Sequence, residues 1–227
     1  QRRRALPVIR HADERGACVS IDTSSAEVAA AALDVGAHAV NDVSLLRDED
    51  LARVVAGSGA SLVLSHARAP QEEMKGYGGV PLLAYGDVVA DVLAEWERAA
   101  ARAGELGVPR SALVMDPGLG FSKASRHSFE LLRRVRELVT KLDGSGAVGG
   151  VPVLVGASRK SFLTLADGPR AAKALASSPP GERDGASIAA ALHAVRAGVQ
   201  ILRVHAVRAT RQAIDMDNIL GTPRRKI

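Results

Sequence analysis

Six apolar runs in this chain close on, or carry near their ends, polar residues able to do chemistry. Val19-Ser-Ile-Asp22 ends on a carboxylate, Ala39-Val-Asn41-Asp42 on an amide and a carboxylate, and Leu62-Val-Leu-Ser65-His66 on an imidazole. Leu113-Val-Met-Asp116 supplies another carboxylate, the run from Val153 to Lys160 two cations, and Ile201-Leu-Arg203-Val-His205 a cation and an imidazole. Asp22, Asn41 and Asp116 together suit a ring bearing amino, imino and carbonyl groups. A carboxylate can accept two parallel N–H bonds from a guanidine-like edge, and an Asn offers a donor and an acceptor in one plane. For each residue alone, capping a helix is the competing role. Lys160 and Arg203 add cations facing the carboxylates, and His205 suits an anion. A glycosidase-like carboxylate pair is also open, but it leaves Lys160 and Arg203 unused. Pro117-Gly-Leu-Gly120 lets the backbone turn sharply and approach a ligand. The Ser158-Arg-Lys-Ser161 backbone would bind a carboxylate or phosphate if a helix starts there; for Arg159 a structural salt bridge competes. The histidines are scattered, without metal-ligand spacing.

Such residues converge only if the runs are parallel strands with their C-terminal ends on one side. Short, β-branched-rich runs without alternation read as strands buried on both faces. They fall at about 18–22, 38–43, 61–66, 112–116, 151–157 and 200–205. Helices are expected over 1–15, with Leu6, Val8 and Ile9 on the apolar face, then to about 35 after a capping box at 23–27, and over 48–57 up to Gly57. Further helices are expected over 84–106, 127–142, 183–197 and 208–220, with Trp96 and Met74 as core residues. Residues 67–80 form a Gly- and Pro-rich loop, and 144–150 and 164–182 are looser connections. No dinucleotide or P-loop fingerprint follows a strand, which shifts weight from a doubly wound sheet to an α/β barrel. A closed barrel needs eight strands and six are visible, so the expectation is a (β/α)8 TIM barrel whose N-terminal β-α-β segment is absent from this sequence. A shortened, open barrel is the alternative. Residues 1–220 form one domain, followed by a basic tail at 221–227.

Apolar residues make up 47% of the 227, enough for a large core. No run reaches the length of a membrane span and no leader pattern opens the chain. The formal charge of +5 invites a nucleic-acid partner, but 3% aromatics leave few stacking platforms, and arginines lie beside acids, as in Glu95 to Arg98 and Glu130 to Arg134. Neither nucleic acid nor membrane is expected as a partner. The lone Cys18 reads as a small buried residue in a reducing compartment. His11, His38, His127 and His193 read as surface or helix-face residues.

Asp116-Pro-Gly-Leu-Gly-Phe-Ser-Lys123, Gly156-Ala-Ser-Arg-Lys-Ser-Phe162 and Arg203-Val-His205 resemble, in order, the motifs of the dihydropteroate synthase family. Ile21-Asp-Thr23, Val40-Asn-Asp-Val-Ser44 and Pro179-Pro-Gly-Glu-Arg183 match further positions. The resemblance implies a (β/α)8 barrel that condenses 6-hydroxymethyl-dihydropterin pyrophosphate with p-aminobenzoate, giving dihydropteroate and pyrophosphate in folate biosynthesis. Asp22, Asn41, Asp116 and Lys160 would hold the pterin, with Arg203 along its ring. His205 and Asn41 would lie toward the pyrophosphate. Phe121, Lys160 and Ser161 would border the aminobenzoate, with Ser161 and the adjoining backbone taking its carboxylate. Lys160, Arg203 and His205 would be the catalytic residues, with Mg2+ neutralising the leaving pyrophosphate. A cytoplasmic homodimer sensitive to sulfonamides is the further implication.

Several features depart from that pattern. The family's Asn-containing loop after its first strand, and a Ser/Thr-Arg-Pro-Gly loop, do not occur here. Ser65-His-Ala67 stands where Met-His-Met is usual, making that wall of the pocket smaller and more polar. Arg203-Val-His-Ala206 replaces Arg-Val-His-Asp. A divergent or non-catalytic pterin-binding paralogue is therefore an alternative. A methyltetrahydrofolate-dependent methyltransferase is another, disfavoured by Ser158-Arg-Lys160.

Overall fold

A computed structural model describes residues 2–69, 85–144, 150–165 and 179–221. Most of the expected loop 67–80, with Met74, lies outside the described residues, as do most of 164–182 and the basic tail. Strands and helices alternate: α1 (Arg2–Asp13), β1 (Ser20–Asp22), α2 (Ala26–Leu33), β2 (Ala39–Asp42), α3 (Glu49–Ser58), β3 (Ser61–Ser65) and α4 (Val88–Glu105). Then come β4 (Leu113–Asp116), α5 (Ser125–Arg133), α6 (Val135–Leu142), β5 (Leu154–Val155), α7 (Asp184–Arg196), β6 (Ile201–Leu202) and α8 (Val207–Gly221). Ser25, Asp48 and Asp87 accept from the first-turn amides of α2, α3 and α4, so side chains satisfy donors that a helix start leaves orphaned.

β1 to β4 form one parallel sheet in chain order, β5 pairs parallel with β6, and a parallel bridge from Met115 to Val153 joins the two. Among the described residues, six parallel strands in sequence order with helices between them form the α/β architecture the strand-end pattern predicts. Side chains alternate across a strand. Leu62, Leu64, Leu113, Met115, Val153 and Val155 join the large core beneath the helices, which also holds the fully buried Trp96. The Trp96 indole N–H donates to the Leu64 carbonyl at 3.0 Å, tying α4 to β3. Val63, Val114 and Leu154 form a separate small cluster on the other face of the strands. Continuing that alternation, Ser65 and Asp116 share the face of Val63 and Val114, and they are register partners. Asn41, opposite Val63, and Asp22, opposite Asn41, share it too.

Several sequence expectations need correction. The expected 127–142 helix breaks at Arg134, whose backbone (φ −102°, ψ 16°) leaves the helical region while its guanidinium reaches Asp87 at 3.0 Å. α3 runs past Gly57 and stops at Gly59, which takes the left-handed conformation (φ 72°). Cys18 is exposed: it precedes β1, which begins only at Ser20 and, among the described residues, pairs on one side only. Val8 is exposed, leaving Ile9 as the buried anchor of α1. His127 is buried on α5, edge-on to Tyr85. Glu95 faces inward to His66 and Arg68, whereas Glu130 does pair with Arg134.

Candidate functional site

Hydrogen bonds run along the C-terminal strand ends from β6 to β4. Arg203 donates to Asp22 at 2.8 Å, spanning from the end of β6 to the end of β1. The Asn41 amide donates to the same Asp22 oxygen at 3.3 Å. Ser65 lies within 3.3 Å of the Asn41 carbonyl oxygen and 3.2 Å of Asp116, so its one hydroxyl proton serves two acceptors. Asn41, Ser65 and Asp116 are buried, as parallel strands covered on both sides require. The orientation of the Asn41 amide follows from this network: its NH2 has a carboxylate on one side and its oxygen a hydroxyl on the other.

Beyond Asn41 the chain turns through Val43 to Arg47, with Leu45 and Leu46 both left-handed (φ 60°). Left-handed leucines cost free energy that surrounding structure must offset. Buried Asp42 does so, accepting from the Ser44 amide, the Ser44 hydroxyl and the Leu46 amide. Burial raises the Asp42 pKa above its ordinary value, and these donors oppose the rise.

After β4, Asp116 accepts from the Gly118 amide at 2.8 Å, starting the turn. Gly118 (φ 64°) has no room for a side chain, since a Cβ there would collide with the His66 carbonyl. The turn presents the Leu119 carbonyl to the Lys160 ammonium, which also stands 4.3 Å over the Phe121 ring. Burial lowers the Lys160 pKa, while the charges of Asp116 and Asp22 hold it up. A cation that close to two carboxylates can neutralise charge at the site or stabilise charge that develops there.

The Ser158 hydroxyl contacts His205 Nδ1 at 3.0 Å and accepts from the His205 amide at 3.2 Å, fixing the imidazole beside the end of β6. Arg159 takes the structural role: left-handed at φ 59°, it makes two bonds to Asp184, at 2.8 and 2.9 Å. Ser161 opens a 3-10 turn, Ser161–Leu165, rather than an α-helix. The helix start on which a dipole-based anion site there would depend is not seen at Ser161, and residues 166–178 lie outside the described ones. The structure thus joins Asp22, Asn41, Asp116 and Arg203 through direct or shared contacts, puts Phe121 against Lys160, and brings the Lys160 charge within electrostatic reach of Asp116, Asp22 and Arg203. His205 stands two residues beyond Arg203 on Ser158, and Ser161 adjoins Lys160 in the chain.

Sequence reasoning missed three residues. Ser65 was visible only as a small polar residue where the resemblance has Met. Lys123, fully buried, carries no spacing cue, and Glu95 lies on a helix where Arg98 offers a ready surface partner.

A family model described as pterin binding enzyme matches residues 1–205. The chain belongs to the pterin binding enzyme family. Dihydropteroate synthase of Mycobacterium leprae (strain TN) is 40% identical over 216 residues, covering 93% of this chain and 69% of that protein. Dihydropteroate synthase from Thermus thermophilus, solved in complex with 4-aminobenzoate, superposes with a TM-score of 0.80 at 39% identity, over 96% of this chain and 80% of that one. The same enzyme in complex with 6HMPPP gives a TM-score of 0.78 at 40% identity, covering 96% and 76% of the two chains. These structural relatives are TIM barrels, so the parallel strands and outer helices seen here are those of the family fold.

Proposed function

We propose that this chain is a dihydropteroate synthase, condensing 6-hydroxymethyl-dihydropterin pyrophosphate with p-aminobenzoate. The bound ligands of the Thermus thermophilus relatives support both substrates. The observation that carries the reading is the chain Arg203–Asp22–Asn41–Ser65–Asp116, ending beside Lys160 and Phe121. Its carboxylates and amide match the donor-rich edge of a pterin. The aromatic ring of Phe121, with Lys160 above it, suits a benzoate.

In the reaction, the C–O bond from the pterin methylene to pyrophosphate breaks and a C–N bond to the aminobenzoate nitrogen forms, with loss of one amine proton. Positive charge grows on the methylene as pyrophosphate leaves. Asp116, buried and bonded to Ser65 and the Gly118 amide, stabilises that charge without reorganising, and the more exposed Asp22 adds a second carboxylate. Arg203 and His205 lie at the end of β6 and offer positive charge and hydrogen bonds to the departing anion. The amine is neutral and aromatic, so holding it in line matters more than a strong base. Phe121, Lys160 and Ser161 do that work.

Mg2+ belongs to the proposal as charge neutralisation for pyrophosphate. Among the described residues no three His, Cys, Asp or Glu side chains gather as ligands. The described part of the chain therefore does not cage the ion, and no step above depends on it. The homodimer is a proposal resting on α8, where Val207, Met216, Ile219 and Leu220 are exposed. No helix among the described residues is long and apolar enough to cross a membrane. A cytoplasmic place and sulfonamide sensitivity complete the reading.

The test is purified chain with pterin pyrophosphate, p-aminobenzoate and Mg2+, monitored for dihydropteroate and pyrophosphate. Equimolar release that needs both substrates is expected. Pterin binding without release would instead identify a divergent paralogue, the reading favoured by Ser65 and Ala206.

A further inference from the structure

Lys123 has no part in the steps above, yet it is among the most deeply buried side chains, 1% exposed. Its ammonium lies 2.8 Å from His66 Nδ1 and donates to the carbonyls of His66 (3.1 Å), Gly118 (3.1 Å) and Phe121 (3.0 Å). His66 Nε2 faces Glu95 at 2.9 Å, which assigns the proton to Nε2 and leaves Nδ1 an acceptor. Burial, with Lys123 alongside, holds this imidazole down to about 4, so it is neutral. Among the described residues, all four neighbours of the ammonium accept. Burial pushes Lys123 well below the usual lysine range and Asp116 opposes this, while four acceptors favour the charged form. A buried cation costs several kcal/mol unless it is well bonded, and an apolar residue of like volume would pack a simple turn.

What the ammonium joins is specific. The His66 carbonyl belongs to the end of β3, and the other two carbonyls bracket the Asp116 turn. The same His66 carbonyl leaves no space for a Cβ on Gly118. Ser122, left-handed at φ 47°, is anchored by the Ala69 amide and the Tyr85 hydroxyl. The turn carries Phe121 and the Leu119 carbonyl that holds Lys160.

We propose that Lys123 is a positioning residue, stapling the Pro117–Ser122 turn to the end of β3 and thereby placing Phe121 and Lys160 for the aminobenzoate. This rests on the synthase reading above and deepens it. Asp22, Asn41 and the Ser65 contact to Asp116 are held by strand-end bonds that do not involve Lys123, so losing the staple weighs more on the aminobenzoate side than on the pterin side.

Initial rates with each substrate varied, alongside thermal melts, test this in wild type and Lys123→Met. The expected result is a KM for p-aminobenzoate raised about tenfold or more, with a severalfold smaller rise in KM for the pterin substrate; equal rises in both overturn the proposal. A purely structural lysine would lower only the amount of folded enzyme; unchanged KM values for both substrates overturn the proposal. If Lys123→Met does not fold, Gly118→Ala decides, because its Cβ displaces the turn while the lysine stays. The same unequal KM shift supports the staple, and equal or unaltered KM values reject it. If wild type releases no pyrophosphate, the synthase reading falls, and hydrogen exchange then decides the staple. Faster exchange of the Gly118 to Ser122 amides in either variant supports it, and unchanged exchange overturns it.

Discussion

Asp116 and Asp22 belong to the same hydrogen-bonded chain but lie in opposite surroundings. Asp116 lies on β4, between β3 and the bridge to β5, and is 4% exposed. Its neighbours are fixed: Ser65, the Gly118 amide, and a turn held by Lys123. Asp22 lies on β1, which among the described residues pairs on one side only, with β2. Its side chain is 45% exposed and that of its partner Arg203 55%. One half of the site is preorganised and dry. Among the described residues the other half is more exposed and is held by fewer partners. Hydrogen bonds to a buried carboxylate discriminate strongly between ligands, because a missing partner leaves charge unpaired. An exposed ion pair contributes little and is screened by salt.

Four outcomes would sharpen or break this contrast. Lys160→Ala should have the largest effect, about 100-fold on both pterin affinity and turnover, since it removes a half-buried cation whose charge acts on both carboxylates. Unchanged kinetics would take Lys160 out of the site. Glu95→Gln should cost about 2 kcal/mol by weakening charge-assisted bonds behind the closed half, a Tm loss of about 6 °C at pH 7. The His66 hydrogen bond holds Glu95 down to about 2, below the carboxylate value in an unfolded chain. Its contribution is thus full above that unfolded value and lost as pH falls toward 2. His66, at about 4, also lies below its unfolded value, so wild-type Tm should begin to fall near pH 6.5. Melts against pH should therefore show wild type and Glu95→Gln converging at the acid end.

On the open half, Asp22→Asn should weaken pterin binding about tenfold, because the Arg203 bond it loses is already solvated. Raising salt from about 0.05 to 0.5 M should weaken wild-type pterin binding about threefold and Asp22→Asn less. Equal salt sensitivity in the two would show that the Arg203–Asp22 pair is not the screened element.

The sequence revealed the site's frame because strand-end polar residues interrupt apolar runs, and a period of two decides their face. Asp22, Asn41 and Asp116 were legible for that reason, and Lys160 and Arg203 followed as the nearest cations. Ser65 lay within a run already assigned to β3 and looked like part of the wall. Lys123 needed three dimensions, since its partners come from the end of β3 and from the turn after β4. Glu95 shows the limit of local pairing: a carboxylate three residues from Arg98 looks surface-bound, yet α4 turns it toward His66. The break at Arg134 has no Pro or Gly to announce it and comes with charge contacts to Asp87 and Glu137.

The most direct test compares the two carboxylates themselves. Equilibrium binding of the pterin pyrophosphate, followed by pterin fluorescence, should be measured for wild type, Asp116→Asn and Asp22→Asn. If the closed half recognises the pterin, Asp116→Asn weakens binding at least about tenfold more than Asp22→Asn does. Equal losses, or an Asp116→Asn protein that binds like wild type, would contradict the account.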